Sequence, residues 1–231
     1  MGHYTLDVLS SIPGIAAVRT RIVTHMFTEG GSWQIDALDS AQRARLVPPR
    51  GETHADQARG RPEITAHDRV LLRELHRDGR ASYQALAKAS DTTAPSVRRR
   101  LDRLTRLGLL RFRCDFARPL GGWPVAVTFW ATAPVKELSA IGHALVRLPE
   151  VRNCAAVTGD HNLVVQAVLH SVSDVLRLER RLSETHGDLT ITERTMTLRH
   201  DKLLGRILDP CGRSVGVVPP DVWRDPSSVS G

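Results

Sequence analysis

The sequence predicts an α+β chain in which a helix-turn-helix domain, winged-helix-like, precedes a ferredoxin-like βαββαβ domain. Three observations carry this reading. Between residues 65 and 108 apolar residues recur at helical spacing in three runs, broken at Asp78-Gly79 and at Ser90-Asp91-Thr92-Thr93. From Val125 the period changes, and strand-like runs alternate with two helical ones as far as Leu198. Residues 46–63, LVPPRGETHADQARGRPE, have no period and are rich in Pro and Gly, so they read as a linker ahead of the first block.

Residues 1–45 precede that linker. Leu6, Leu9 and Ile12 form a helical stripe, Pro13-Gly14 breaks it, and IAAVRTRIV (15–23) reads as a strand. One helix and one strand cannot bury a core alone. The segment is therefore predicted to dock on the sheet or helices of the C-terminal domain, in the same chain or a partner; the alternative is a segment left disordered because the gene product begins further upstream. It also echoes Leu178, Leu182, Gly187 and LTITERTMTL (189–198), with Arg19-Thr20 standing where Arg194-Thr195 stands.

The helix-turn-helix domain is assigned to 64–116. Thr65-Ala66-His67-Asp68 can cap a first helix whose apolar residues are Val70, Leu71, Leu72 and Leu75. Ser82 caps a short second helix with Leu86 and Ala87 inward. The third carries Pro95 in its first turn, where proline is tolerated, and Gly108 closes it. Val97, Leu101 and Leu104 share one side of this helix, while Arg99, Arg103 and Arg106 lie opposite, with Arg98 flanking them. Leu109 to Phe116 reads as a short wing or connecting strand.

The βαββαβ domain is assigned to 117–205. Its strands are 125–132, 151–157, 163–169 and 189–198, and its helices run over 135–148 and 173–185. Two helices cover one face of such a sheet; the other face awaits a partner, here a second copy of the chain. Trp130 reads as core or interface. Residues 206–231 are rich in Pro, Gly and Ser and read as a flexible tail.

Charge locates a function. The window 65–113 holds twelve Arg or Lys and five Asp or Glu, which is +7, the net charge of the whole chain. A solvated face would mix its signs; excess charge confined to one domain points to a polyanion, here double-stranded DNA. Arg98, Arg99 and Arg103 can bridge to phosphates or fork onto guanine edges in the major groove. Ser82, Thr92, Thr93 and Ser96 lie at helix starts, where hydroxyls and free N–H groups meet phosphate. Arg100 lies nearer the seam and reads as structural, and Arg111 and Arg113 would add backbone contacts only.

Several classes are excluded. The three cysteines are widely spaced, with no CxxC, which argues against a disulfide framework or a zinc finger. His161 and Cys154 lack further metal ligands at regular spacing, so no metal and no cofactor are assigned. No Gly-rich phosphate loop or HExxH is present. No apolar run is long enough to span a membrane, and the expected location is the cytoplasm.

The combination resembles the Lrp/AsnC family of transcription regulators. The residues that carry the resemblance are Asp68, Leu75, Asp78, Gly79, Arg80, Leu86, Ala87, Val97, Arg100, Leu101, Leu104 and Gly108, together with LPEVRNCAAVTGDHNLVV (148–165). The likeness runs over about residues 64 to 205 and implies a DNA-binding regulator that oligomerises through its C-terminal domain and senses an amino-acid-like effector. It implies an effector turn at Gly159, Asp160, His161 and Asn162. The family turn usually ends in Asp, where this chain has Asn162. By the same resemblance, residues 1–45 look like the last helix and strand of a first ligand-binding domain in a tandem two-module member. Sirohaem decarboxylases resemble the same two-domain architecture, which leaves a tetrapyrrole-acting enzyme as the alternative.

Overall fold

The computed structural model describes residues 12–31, 33, 42, 45, 64–185, 187–220 and 223. They fall into two compact units. One lies within Met1–Gln34, Arg118–Arg199 and Asp221–Gly231, the other within Ile35–Ala117 and His200–Pro220.

The helical unit holds α1 (Ala66–Arg77), α2 (Tyr83–Ala89) and α3 (Ala94–Arg106). Thr65 and Asp68 form a reciprocal capping box at the start of α1, each side chain meeting the other's backbone N–H. Leu71, Leu75, Leu86, Val97, Leu101 and Leu104 make the buried seam between the helices. Helix α3 ends in a Schellman motif: Gly108 takes φ +68°, its N–H donates to Thr105, and Leu109 donates to Leu104. Residues 109–116, expected as a wing, form no strand; Arg113 pairs with Asp115 there at 2.8 Å.

The second unit is the predicted βαββαβ domain. Its elements are β2 (Val125–Thr132), α4 (Leu138–Leu145), β3 (Val151–Val157), β4 (Leu163–Leu169), α5 (Ser173–Thr185) and β5 (Thr190–Thr197). They pair antiparallel, with β4 between β3 and β2 and with β5 on the other side of β2. Val127, Phe129 and Ala131 alternate inward from β2 and meet Leu163, Val165 and Ala167 of β4 and Leu145, Leu178 and Leu182 of the helices. The expected helix over 135–148 is shorter at both ends.

A fifth strand extends this sheet. β1 (Val23–Thr28) pairs antiparallel with the edge strand β3, matching Val23 with Val157 and Thr28 with Cys154 across two irregularities. The N-terminal segment thus docks on the sheet, although its strand is 23–28, whereas 15–20 carries none. Phe27 explains the shift: its ring reaches the core beside α4, whereas Ile15 and Val18 stay exposed. The stripe residues Leu6 and Leu9 lie outside the described residues.

The expected tail also departs from the sequence reading. β6 (Lys202–Leu203), β7 (Arg206–Leu208) and β8 (Ser214–Val217) form a three-stranded antiparallel sheet in the helical unit. Arg206 anchors it, donating to the carbonyls of Arg77 at 3.0 Å and His76 at 3.2 Å.

Candidate functional site

The turn between α2 and α3 is set by backbone chemistry. Ser90 is buried and donates its hydroxyl to Leu86, Asp91 adopts φ +49°, and the Thr92 N–H returns to Ala87 at 3.0 Å. Thr93 then caps α3, accepting from the Ser96 N–H at 3.4 Å, and Ser82 caps α2 by accepting from Ala85 at 3.1 Å. The structure therefore brings Thr92, Thr93 and Ser96 together at the start of α3. The other first-turn N–H groups of that helix are the donors a phosphate would meet.

The arginines divide into two sets. Arg98 and Arg99 are exposed; Arg98 lies 4.0 Å from Asp102 one turn on, with 72% of its side chain exposed. Arg100 and Arg103 instead converge on Asp68, at 3.3 and 3.5 Å. Asp68 is fully buried and also accepts from the Thr65 hydroxyl at 2.8 Å. Burial pushes its carboxyl upward, but the hydrogen bonds from Thr65 and Arg100 and the charge of Arg100 outweigh this and hold it below the usual value. Arg100 is structural, as the sequence suggested. Arg103 shares that role, which the sequence did not reveal.

In the other unit, the turn Thr158–Asn162 joins β3 to β4. Gly159 takes φ +114°, a conformation that side chains rarely adopt. The Asn162 amide donates to the Ala133 carbonyl at 2.7 Å and accepts from the Ala133 N–H at 3.0 Å. A carboxylate would accept from the N–H but not donate to the carbonyl, so the amide in place of the family's Asp serves to pin the turn to the end of β2. Asp160 is exposed, and His161 is half-buried with its Nδ1 buried and unpartnered.

Arg21 is a residue that sequence reasoning missed here. Its guanidinium lies over the Trp130 ring at 4.4 Å, and its side chain runs beside Gly159. No local pattern signals this, because only the β1–β3 pairing brings the two segments together. Cys154 faces the core, where burial pushes its thiol up to about 12, so it is no partner for His161.

Comparison with known proteins matches part of each unit. The AsnC-type helix-turn-helix domain model matches residues 64–105, which hold α1 to α3. The Lrp/AsnC ligand binding domain model matches residues 130–199 and includes the turn at 159–162. An uncharacterized HTH-type transcriptional regulator of Pyrococcus abyssi is 31% identical over 118 residues, spanning 51% of this chain and 73% of the relative. The chain belongs to the Lrp/AsnC family of transcriptional regulators. Solved members share its fold. AsnC of E. coli superposes with a TM-score of 0.57 at 19% identity, covering 62% of this chain and 97% of its own. A transcriptional regulator of Neisseria meningitidis, solved as a complex with L-Met, does so with a TM-score of 0.55 at 16% identity, covering 61% and 94%.

Within the family frame, the helix-turn-helix match contains Ser82, Thr92, Thr93, Ser96, Arg98, Arg99 and Arg103, and the ligand-domain match contains Gly159 to Asn162. β1, β6, β7 and β8 lie outside both matches.

Proposed function

We propose that this protein regulates transcription in the cytoplasm by laying α3 in the major groove of double-stranded DNA. The observation that carries this is the exposed pair Arg98 and Arg99 beside the start of a helix capped by Thr93. Arg98 and Arg99 contact phosphate or guanine edges, Thr92, Thr93 and Ser96 hold the backbone at the helix start, and Ser82 does so at the start of α2. Arg103 splits its charge between Asp68 and the duplex.

The same reading makes the protein a homo-oligomer. A second copy covers the sheet face opposite α4 and α5, where Thr128, Trp130 and Gln166 lie, and pairs two recognition helices for a pseudo-palindromic site. The turn Gly159, Asp160, His161 and Asn162 is read as the effector site, with an amino-acid-like ligand; the Neisseria relative's L-Met complex supports that ligand class. The enzyme reading is disfavoured. A tetrapyrrole decarboxylase has no need of seven excess positive charges confined to 65–113, and the Pyrococcus abyssi relative is named a transcriptional regulator. Among the described residues no helix is long and apolar enough to cross a membrane.

The test is DNA binding by the whole chain as a function of salt. Wild-type affinity falls steeply with salt, and Arg98→Ala with Arg99→Ala flattens the log–log slope by about 0.9 for each phosphate that is no longer neutralised. Binding that ignores salt, or a double variant that binds as wild type does, overturns the DNA reading. A monomer by light scattering at micromolar concentration overturns the oligomer.

A further inference from the structure

We propose that Arg21, carried by the N-terminal segment, is a ligand-recognising residue of the effector site and takes the carboxylate of an amino-acid-type ligand, with His161 Nδ1 as its second partner. The inference rests on reading the turn 159–162 as that site.

Position comes first. The Ile22 N–H donates to the Thr158 hydroxyl at 2.9 Å and the Thr158 N–H donates to the Ile22 carbonyl at 2.9 Å, across 136 residues of chain. This two-way lock fixes the backbone of Arg21 beside the turn. Its side chain then passes Gly159, where an added β-carbon would lie 3.6 Å from Arg21 Nε, and ends over Trp130.

Chemistry follows from what the group lacks. Among the described residues the Arg21 guanidinium forms no ion pair and no hydrogen bond; it rests on the indole face. A guanidinium lying on a ring keeps its N–H edge free in its own plane, the geometry that forks onto a carboxylate. His161 neighbours the same indole, 6.0 Å between centroids, and its buried Nδ1 has no partner. A buried ring nitrogen left without a hydrogen bond is unfavourable, and a ligand oxygen relieves it. Asp160 in the turn and Glu193, cross-strand from Trp130, supply negative charge for an ammonium. Cation, π face and carboxylates in one patch fit a zwitterion rather than a neutral metabolite or a phosphate.

The experiment uses the full chain and calorimetric titration with each of the twenty L-amino acids, then with the carboxamide of any that binds. The expected result is binding of a free acid, lost with its carboxamide, and weakened roughly ten- to a hundredfold by Arg21→Ala. Arg21→Lys recovers part of the affinity, and His161→Phe weakens it by a smaller factor. Circular dichroism melts confirm that each variant is folded. The inference is overturned if Arg21→Ala binds as wild type does, if it binds more tightly because Arg21 covers the site, or if the carboxamide binds equally. Loss of binding in Asp160→Ala but not in Arg21→Ala keeps the effector turn and removes Arg21. No binding of any amino acid to the wild type removes the effector reading and this inference with it.

Discussion

The ring of Phe27 occupies the space that a side chain on Gly142 would need: a β-carbon there would lie 2.5 Å from Phe27 Cε2 and Cζ. Gly142 sits inside α4, where glycine costs about 1 kcal/mol relative to alanine. The helix tolerates that cost because the Phe27 ring of the N-terminal strand packs against it. His143 on the same helix completes the contact, edge-on to Phe27 at 5.4 Å between centroids.

Gly142→Ala therefore has opposite effects in two contexts. In the full chain it displaces Phe27 and lowers stability by about 1–2 kcal/mol. In a variant lacking residues 1–45 the clash is gone, and the same substitution raises stability by about 0.5–1 kcal/mol through helix propensity. Chemical denaturation of the four proteins reads both signs. Stabilisation in both contexts would mean that β1 does not hold its place beside α4.

Legibility in the sequence follows one rule: an element shows itself when it carries its own period. The strands β2 to β5 and the helices α1 to α3 do so, as Val127, Phe129 and Ala131 show in β2. Sequence reasoning misplaces β1 because VTHMFT has no alternation of its own; it is a strand by virtue of the β3 edge it pairs with. β7 and β8 are three and four residues long, below the length at which a pattern can be read, so they pass for tail. A helical wheel puts Arg103 on the DNA face, but the wheel fixes only where its α-carbon points. The long side chain reaches back to Asp68 regardless. Arg21 is invisible for the reason β1 is.

The capping box at Asp68 makes acid stability partly a property of one carboxylate. The folded value is depressed, so its contribution is complete above the ordinary carboxylate value and is lost as pH falls through the folded one. Asp68→Asn should cost about 1–3 kcal/mol near neutral pH. The gap between wild type and variant should stay level above about pH 5 and close as pH falls from about 4 through the depressed folded value, below which both carry a neutral side chain. Urea midpoints across that range measure it; a gap independent of pH would show that the charge of Asp68 is idle.

Arg99 and Arg103 should separate binding from folding. Arg99 is exposed, so Arg99→Ala should weaken DNA binding and leave the melting temperature within error. Arg103 lies 3.5 Å from a buried carboxylate with 41% of its side chain exposed. Solvent screening keeps that pair modest, so Arg103→Ala should lower stability by about 0.5–1 kcal/mol as well as reducing the salt slope. Equal melting temperatures for the two variants would show that Arg100 alone holds Asp68.

The last prediction concerns Arg206. The final carbonyls of a helix have no partner within it, and the C-terminal end carries partial negative charge. Arg206 meets both conditions, with two N–H groups on the carbonyls of His76 and Arg77. It stands on β7, the middle strand of the small sheet, so the cap is presented by a rigid element rather than a loose chain. Arg206→Ala should cost about 1 kcal/mol. The loss should be local, since only the end of α1 is uncapped. Hydrogen exchange should therefore quicken at Leu75, His76, Arg77 and Asp78, while the amides of β2 and β4 keep their rates. Arg206→Lys keeps the charge but loses the fork, and should recover part of the protection. Unchanged exchange at Arg77 and Asp78 in Arg206→Ala would mean that the C-terminal sheet rests on the helical unit without steadying it.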